Sequence, residues 1–101
     1  MSILHTVNKS PFEKSSVTSC FAHLREGSAV LLYEDAVYAA MQGTAVEGVI
    51  SSVKGVKVYA LGPDMQARGV SADRLIGGVE VIDYAGFVDL AAEYDKVQAW
   101  V

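Results

Sequence analysis

With one cysteine, one tryptophan and two prolines in 101 residues, several explanations fall away at once. A lone Cys20 makes no internal disulfide, no CxxC redox pair and no thiolate zinc site, and such usage suits a reducing compartment. Basic charge is short as well, with 8 Lys and Arg against 12 Asp and Glu and a net charge of -4. Such a balance argues against a surface that draws nucleic acid or an acidic membrane to itself. No apolar run approaches the ~18 residues of a membrane span, and "MSILHTVNKSPF" lacks the order of a signal peptide. The expected location is the cytoplasm, with no membrane partner and no direct nucleic-acid partner. There is no GxGxxG, no P-loop, no metal-ligand spacing and no Ser/His/Asp order, so no cofactor and no metal are expected. Nor does a repeat, a low-complexity tract or a linker divide the chain, which reads as one domain over 1–101.

What is present is apolar and periodic. Hydrophobic residues make up 51% of the chain, a high share for a domain this small, and that excess predicts a surface shared with a partner. "ILHTV" is a short β-type run, and "SAVLLYE" is nearly continuous in the manner of strands buried on both faces of a parallel sheet. "VKVYALG" and "GVEVIDY" follow as further strands. After Ser10-Pro11 a helical stretch sets Val17, Cys20, Phe21 and Leu24 on one face and is expected to end at Gly27. A second begins near Asp35 and breaks at Gly43. It restarts with Thr44 and Glu47 at capping-box spacing, carrying Val46, Val49, Ile50 and Val53 inward. A shorter helix is expected from Pro63-Asp64 to Gly69, and a last one from about Asp83 or Tyr84, with Phe87, Leu90, Ala91 and Tyr94 facing in. The alternation β-α-β-α-β-α-β-α with right-handed crossovers predicts an α/β fold, a three-layer α/β/α domain with a mainly parallel sheet.

In such sheets ligands gather beyond the carboxyl ends of the strands. The loop "NKSPFEKSS" there offers Lys9, Ser10, Lys14, Ser15 and Ser16 to an anion, although it has no glycine to wrap a phosphate, and helix capping explains the same residues. His5 lies inside the first strand and reads as a core or near-core imidazole, while His23 reads as a solvated helix flank; either is a conceivable base for a thiol. Cys20 falls on the apolar helix face, as free cysteines usually do, and away from the helix start that would lower its pKa. Trp100 in "VQAWV" is expected to pack against another element or a partner subunit, since tryptophan is enriched at interface hot spots.

Five landmarks in order, "LHTVNKSP", "LLYEDAVYAA", "KVYALGPDMQARG", "VIDYAGFVDL" and a final "AW", resemble the DsrH/TusB family along essentially the whole chain. The pattern departs at Asp35-Ala36, where the family usually has Asp-Gly. The resemblance implies a DsrE/F/H-like fold and a subunit of a cytoplasmic sulfur-relay complex. It further implies a heterohexamer with DsrE/TusD-like and DsrF/TusC-like paralogues that passes sulfane sulfur, as a cysteine persulfide, to a DsrC/TusE-like acceptor. In one branch the sulfur reaches the 2-thiouridine of tRNA wobble positions; in the other the relay serves dissimilatory sulfur oxidation. A cysteine at the place of Cys20 favours the oxidation branch, with Cys20 as an auxiliary persulfide or acceptor-docking residue. The main persulfide cysteine is then expected on the DsrE/TusD-like subunit. A different class of reading stays open: a non-catalytic scaffold, or an anion-binding module built on the "NKSP" loop.

Overall fold

The computed structural model describes residues 2–101. Its strands are β1 (Ile3–Val7), β2 (Ala29–Leu32), β3 (Lys57–Leu61), β4 (Val79–Ile82) and β5 (Lys96–Trp100). Its α-helices are α1 (Ser16–Ala22), α2 (Glu47–Ser51), α3 (Gly62–Ala67) and α4 (Tyr84–Glu93), with 3-10 turns over Glu34–Ala40 and Ala72–Arg74. All strand pairs are parallel, in the order β4-β3-β2-β1-β5.

That order follows from handedness. The chain steps in one direction from β1 to β4, so right-handed crossovers place α1, the first 3-10 turn, α2 and α3 on one face. It then returns across the sheet to β5 beside β1, and the same handedness places α4 on the other face. The layers are therefore unequal. The many-helix face holds a cluster of 18 buried residues, among them Val7, Val17, Cys20, Val30, Leu32, Val37, Val58 and Met65. The α4 face holds 6: Leu4, Ala29, Leu31, Tyr59, Leu61 and Leu90. β2 is buried at every position, which explains its unbroken apolar run.

β5 is an addition to the expected pattern. Its residues alternate between Lys96, Gln98 and Trp100 on the many-helix face and Val97 and Ala99 on the α4 face, matching β1 in register. Ser2 pins it: the Ser2 backbone N–H donates to Asp95 Oδ2 at 2.9 Å, and the Asp95 N–H donates to Ser2 Oγ at 3.2 Å. The Ser2 N–H and hydroxyl, both donating to Oδ2, hold the Asp95 carboxyl below its usual range.

The helices differ from expectation at their ends. α1 stops at Ala22, where His23 N–H closes on the Cys20 carbonyl, and Leu24 still packs against the core. Gly27, at φ +89°, serves the turn into β2 instead, donating to the Gly55 carbonyl at 2.8 Å. The stretch from Glu34 is a 3-10 turn that ends before Met41, because Met41 pairs with Leu75 in an antiparallel bridge. Glu34 takes the left-handed φ of +48°, and its N–H donates to Asp64 Oδ2 at 2.6 Å. The capping pair is shifted by one residue: Glu47 Oε1 accepts from Gly43 N–H at 2.6 Å, while Thr44 Oγ1 accepts from Val46 N–H. In α4, Asp83 caps through Gly86 N–H at 2.8 Å and Leu90 is buried between half-buried Phe87 and Tyr94. Ala91, expected inside, is exposed, since one helix lies over only a narrow strip of the sheet. Gly86 is the point of closest approach, where a Cβ would stand 3.0 Å from Ile82 Cβ.

Candidate functional site

The loop beyond the carboxyl end of β1 folds on itself. Ser10 is buried; its carbonyl accepts from Glu13 and Lys14 N–H, and its Oγ accepts from Phe12 N–H at 3.1 Å. Ser10 is thus a turn former, its carbonyl and Oγ both accepting within the loop. Lys9 is exposed, and Lys14 and Ser15 line an open groove beside Val46 and Val49 that also contains Glu13. Cationic and anionic side chains share this surface, and no set of donors converges there.

Cys20 lies on the inner face of α1 with no exposed surface, in the same cluster as Val7, Val17, Phe21 and Val30. Burial pushes its thiol up to about 12, because a thiolate without solvent or a cationic partner is costly. The candidate bases are committed elsewhere. His23 turns its Nδ1 to the Ser19 carbonyl of its own helix at 2.7 Å. His5, on β1, is nearly fully buried and accepts a hydrogen bond at Nδ1 from Trp100 Nε1–H at 3.0 Å.

Trp100 completes this arrangement from the end of β5. Its indole is half-buried against the core on the α1 side, with ring centroids 6.1 Å from His5 and 5.7 Å from His23. Because an indole N–H only donates, His5 must carry its own proton on Nε2. Burial also lowers the pKa of His5, which keeps the ring neutral. Three residues read separately in the sequence are therefore one unit, 95 positions apart at its widest. The signal that reveals it is the period-2 alternation of Lys96, Gln98 and Trp100, once that segment is seen as a strand.

Among the described residues no group of three or more His, Cys, Asp or Glu is placed to hold a metal ion, and no helix is long and apolar enough to cross a membrane.

Comparison with known proteins places the whole chain. By fold it is similar to the ychN protein of Escherichia coli, with a TM-score of 0.86 at 20% identity over 99% of both chains. It is similar also to a Methanobacterium thermoautotrophicum protein of unknown function, with a TM-score of 0.70 at 20% identity over 96% of both. In sequence it is 33% identical over 99 residues to Protein TusB of Pectobacterium parmentieri, which covers 97% of this chain and 100% of that protein. Protein TusB of Escherichia coli is 34% identical over 98 residues, with 97% and 100% covered. A family model described as DsrH like protein matches residues 9–97. The layered parallel sheet, the near-complete coverage by TusB proteins and the match to that model together establish that the chain belongs to the DsrH/TusB family.

Proposed function

We propose that this chain is the TusB-type subunit of a relay that delivers sulfane sulfur toward 2-thiouridine in tRNA. Membership in the DsrH/TusB family supports a sulfur-relay subunit with partner subunits, and the full-length TusB relatives carry the choice of the tRNA branch. The sulfur-oxidation branch rests on the presence of Cys20, and its surroundings weaken that argument. The partners in this reading are the DsrE/TusD-like and DsrF/TusC-like paralogues in a cytoplasmic heterohexamer, with a DsrC/TusE-like acceptor. An unequal fold supports the need for partners: α4 alone covers one face of the sheet, leaving Val97 half exposed on the edge strand and Tyr84 and Val88 exposed on the helix.

In a persulfide relay a thiolate attacks the outer sulfur of a donor persulfide, the donor S–S bond breaks, and the donor leaves as a thiolate. With burial pushing its thiol up to about 12, Cys20 is held as the neutral thiol at pH 7. Its sulfur also lacks a path to an incoming donor. Of its two possible roles we assign Cys20 to packing, and sulfur carriage to a cysteine of a partner. The subunit then contributes surface and assembly, with Trp100 stiffening the β5 edge where a partner docks.

The test removes the gene and measures 2-thiouridine in bulk tRNA. Loss of the modification, restored equally by the wild type and by Cys20→Ala, is the expected result. Unchanged thiolation together with impaired oxidation of stored sulfur would transfer the chain to the oxidation branch. Co-purification with neither paralogue would remove the relay reading altogether.

A further inference from the structure

Beside the His5–Trp100 bond, on the α1 side of the sheet, lies a cleft of about 180 Å³ bounded by Ile3, His5, His23, Arg25, Ser28, Gln98 and Trp100. Cofactor- and drug-sized ligands need roughly 300–1,000 Å³. This space suits a molecule of a few heavy atoms. Its chemistry is one-sided. No carboxylate lines it, in a chain whose net charge is -4. The one ion pair among the described residues joins Arg68 to Asp35, and Arg25 takes no part in one.

The hydrogen-bond directions are also fixed. Trp100 occupies His5 Nδ1, which leaves the Nε2–H of a nearly fully buried ring as a donor. Ser28 is buried beside it, and among the described residues no hydrogen bond within the chain engages its hydroxyl. The guanidinium of Arg25 and the carboxamide N–H groups of Gln98 add further donors. His23, whose Nδ1–H donates to the Ser19 carbonyl, presents Nε2 as an acceptor in the neutral ring. Donors thus outnumber acceptors, one of them carries a full positive charge, and two are set in place before any ligand arrives, which lowers the ordering cost of binding.

We propose that this cleft binds a small oxyanion, with His5 Nε2–H and Ser28 Oγ–H donating from buried positions and Arg25 supplying the charge at the exposed side. The site is separate from Cys20 and from the "NKSP" loop, and it does not depend on the relay reading. Carboxylate and tetrahedral oxoanions share the required chemistry.

Trp100 is the only tryptophan, so its emission reports on the cleft directly. The full chain is titrated with sodium sulfate and, separately, with sodium acetate, at ionic strength held constant with chloride. A saturable change in Trp100 emission with either anion is the expected result, and the more tightly bound anion tells a tetrahedral from a planar ligand. Arg25→Gln should weaken that binding at least tenfold, and Ser28→Ala severalfold, while Lys14→Gln, outside the cleft, leaves it unaltered. The ¹H–¹⁵N shift of the Trp100 indole is the second readout and should follow the same curves. No saturable response to either anion, or equal responses in wild type and Arg25→Gln, would overturn the proposal.

Discussion

The two faces of the sheet are built to different specifications. On one, four helical segments bury a continuous cluster that includes Cys20; on the other, α4 buries a strip centred on Leu31, Tyr59 and Leu90 and leaves the β5 edge open. A parallel sheet ordinarily has both faces covered. The first face is closed by the chain's own helices, whereas the second keeps exposed apolar surface along α4 and β5. Three of the chain's exposed large apolar side chains, Tyr84, Val88 and Val97, lie on α4 and β5, whereas Phe12 stands in the loop before α1 and Val81 shares the many-helix face with Ala60.

Truncating the finished face should have the largest effect. Leu32→Ala removes a side chain with no exposed surface and is expected to destabilise the fold by about 2–5 kcal/mol in urea unfolding. A loss below about 1 kcal/mol would mean that this face is less tightly packed than its burial indicates.

Cys20 sharpens the same point. Cys20→Ser places a hydroxyl among Val7, Val17 and Val30, which should cost about 1–3 kcal/mol, whereas Cys20→Ala should cost less than the serine. Iodoacetamide should leave the native thiol unmodified at pH 7.5 and alkylate it in urea. Rapid alkylation of the folded chain would show that the helix face opens and would return a sulfur role to this residue.

On the α1 side, at the β5 edge, stands the Trp100–His5 bond. Trp100→Phe keeps the ring and removes the donor, with an expected loss of about 1 kcal/mol. The wild type should also be pH-sensitive. The folded-state pKa of His5 lies below its ordinary value of 6.5, so the unfolded chain binds the extra proton first. The contribution of neutral His5 is therefore complete above pH 6.5 and declines as pH falls toward the folded-state pKa. His5→Asn should flatten the dependence in that window; an unchanged slope would assign it to other groups.

The smallest effect on the fold is expected on the unfinished face. Val97→Ser and Val88→Ser alter exposed side chains and should shift stability by no more than about 0.5 kcal/mol. Co-purification with the paralogous subunits is the informative measurement, and a weakened complex at unchanged stability is the expected pattern. A stable complex in the double variant would move the docking surface elsewhere.

Much of the architecture was legible in local pattern. The unbroken run Ala29–Leu32 announced a strand buried on both sides, and Val17, Cys20 and Phe21 announced the inner face of α1. Each signal lies within a few residues because burial imposes a period of 2 or 3.6 on a single element. β5 was harder to see, since an edge strand exposed along most of its length shows only weak alternation. Its position beside β1 depends on the return of α4 and on the Ser2–Asp95 clasp. The family was also carried by the sequence, as five short motifs in order, because membership is a property of residues in sequence.

By itself the sequence determined an acidic, apolar α/β chain of the DsrH/TusB family with Cys20 on a helix face. Tertiary structure alone decided that the thiol of Cys20 is held neutral, that Ser10 spends its groups on a turn, and that His5, Trp100 and Arg25 border one cleft. The reason is physical: pKa values, tautomers and free donors are set by which groups surround an atom in space, and these groups come from both ends of the chain.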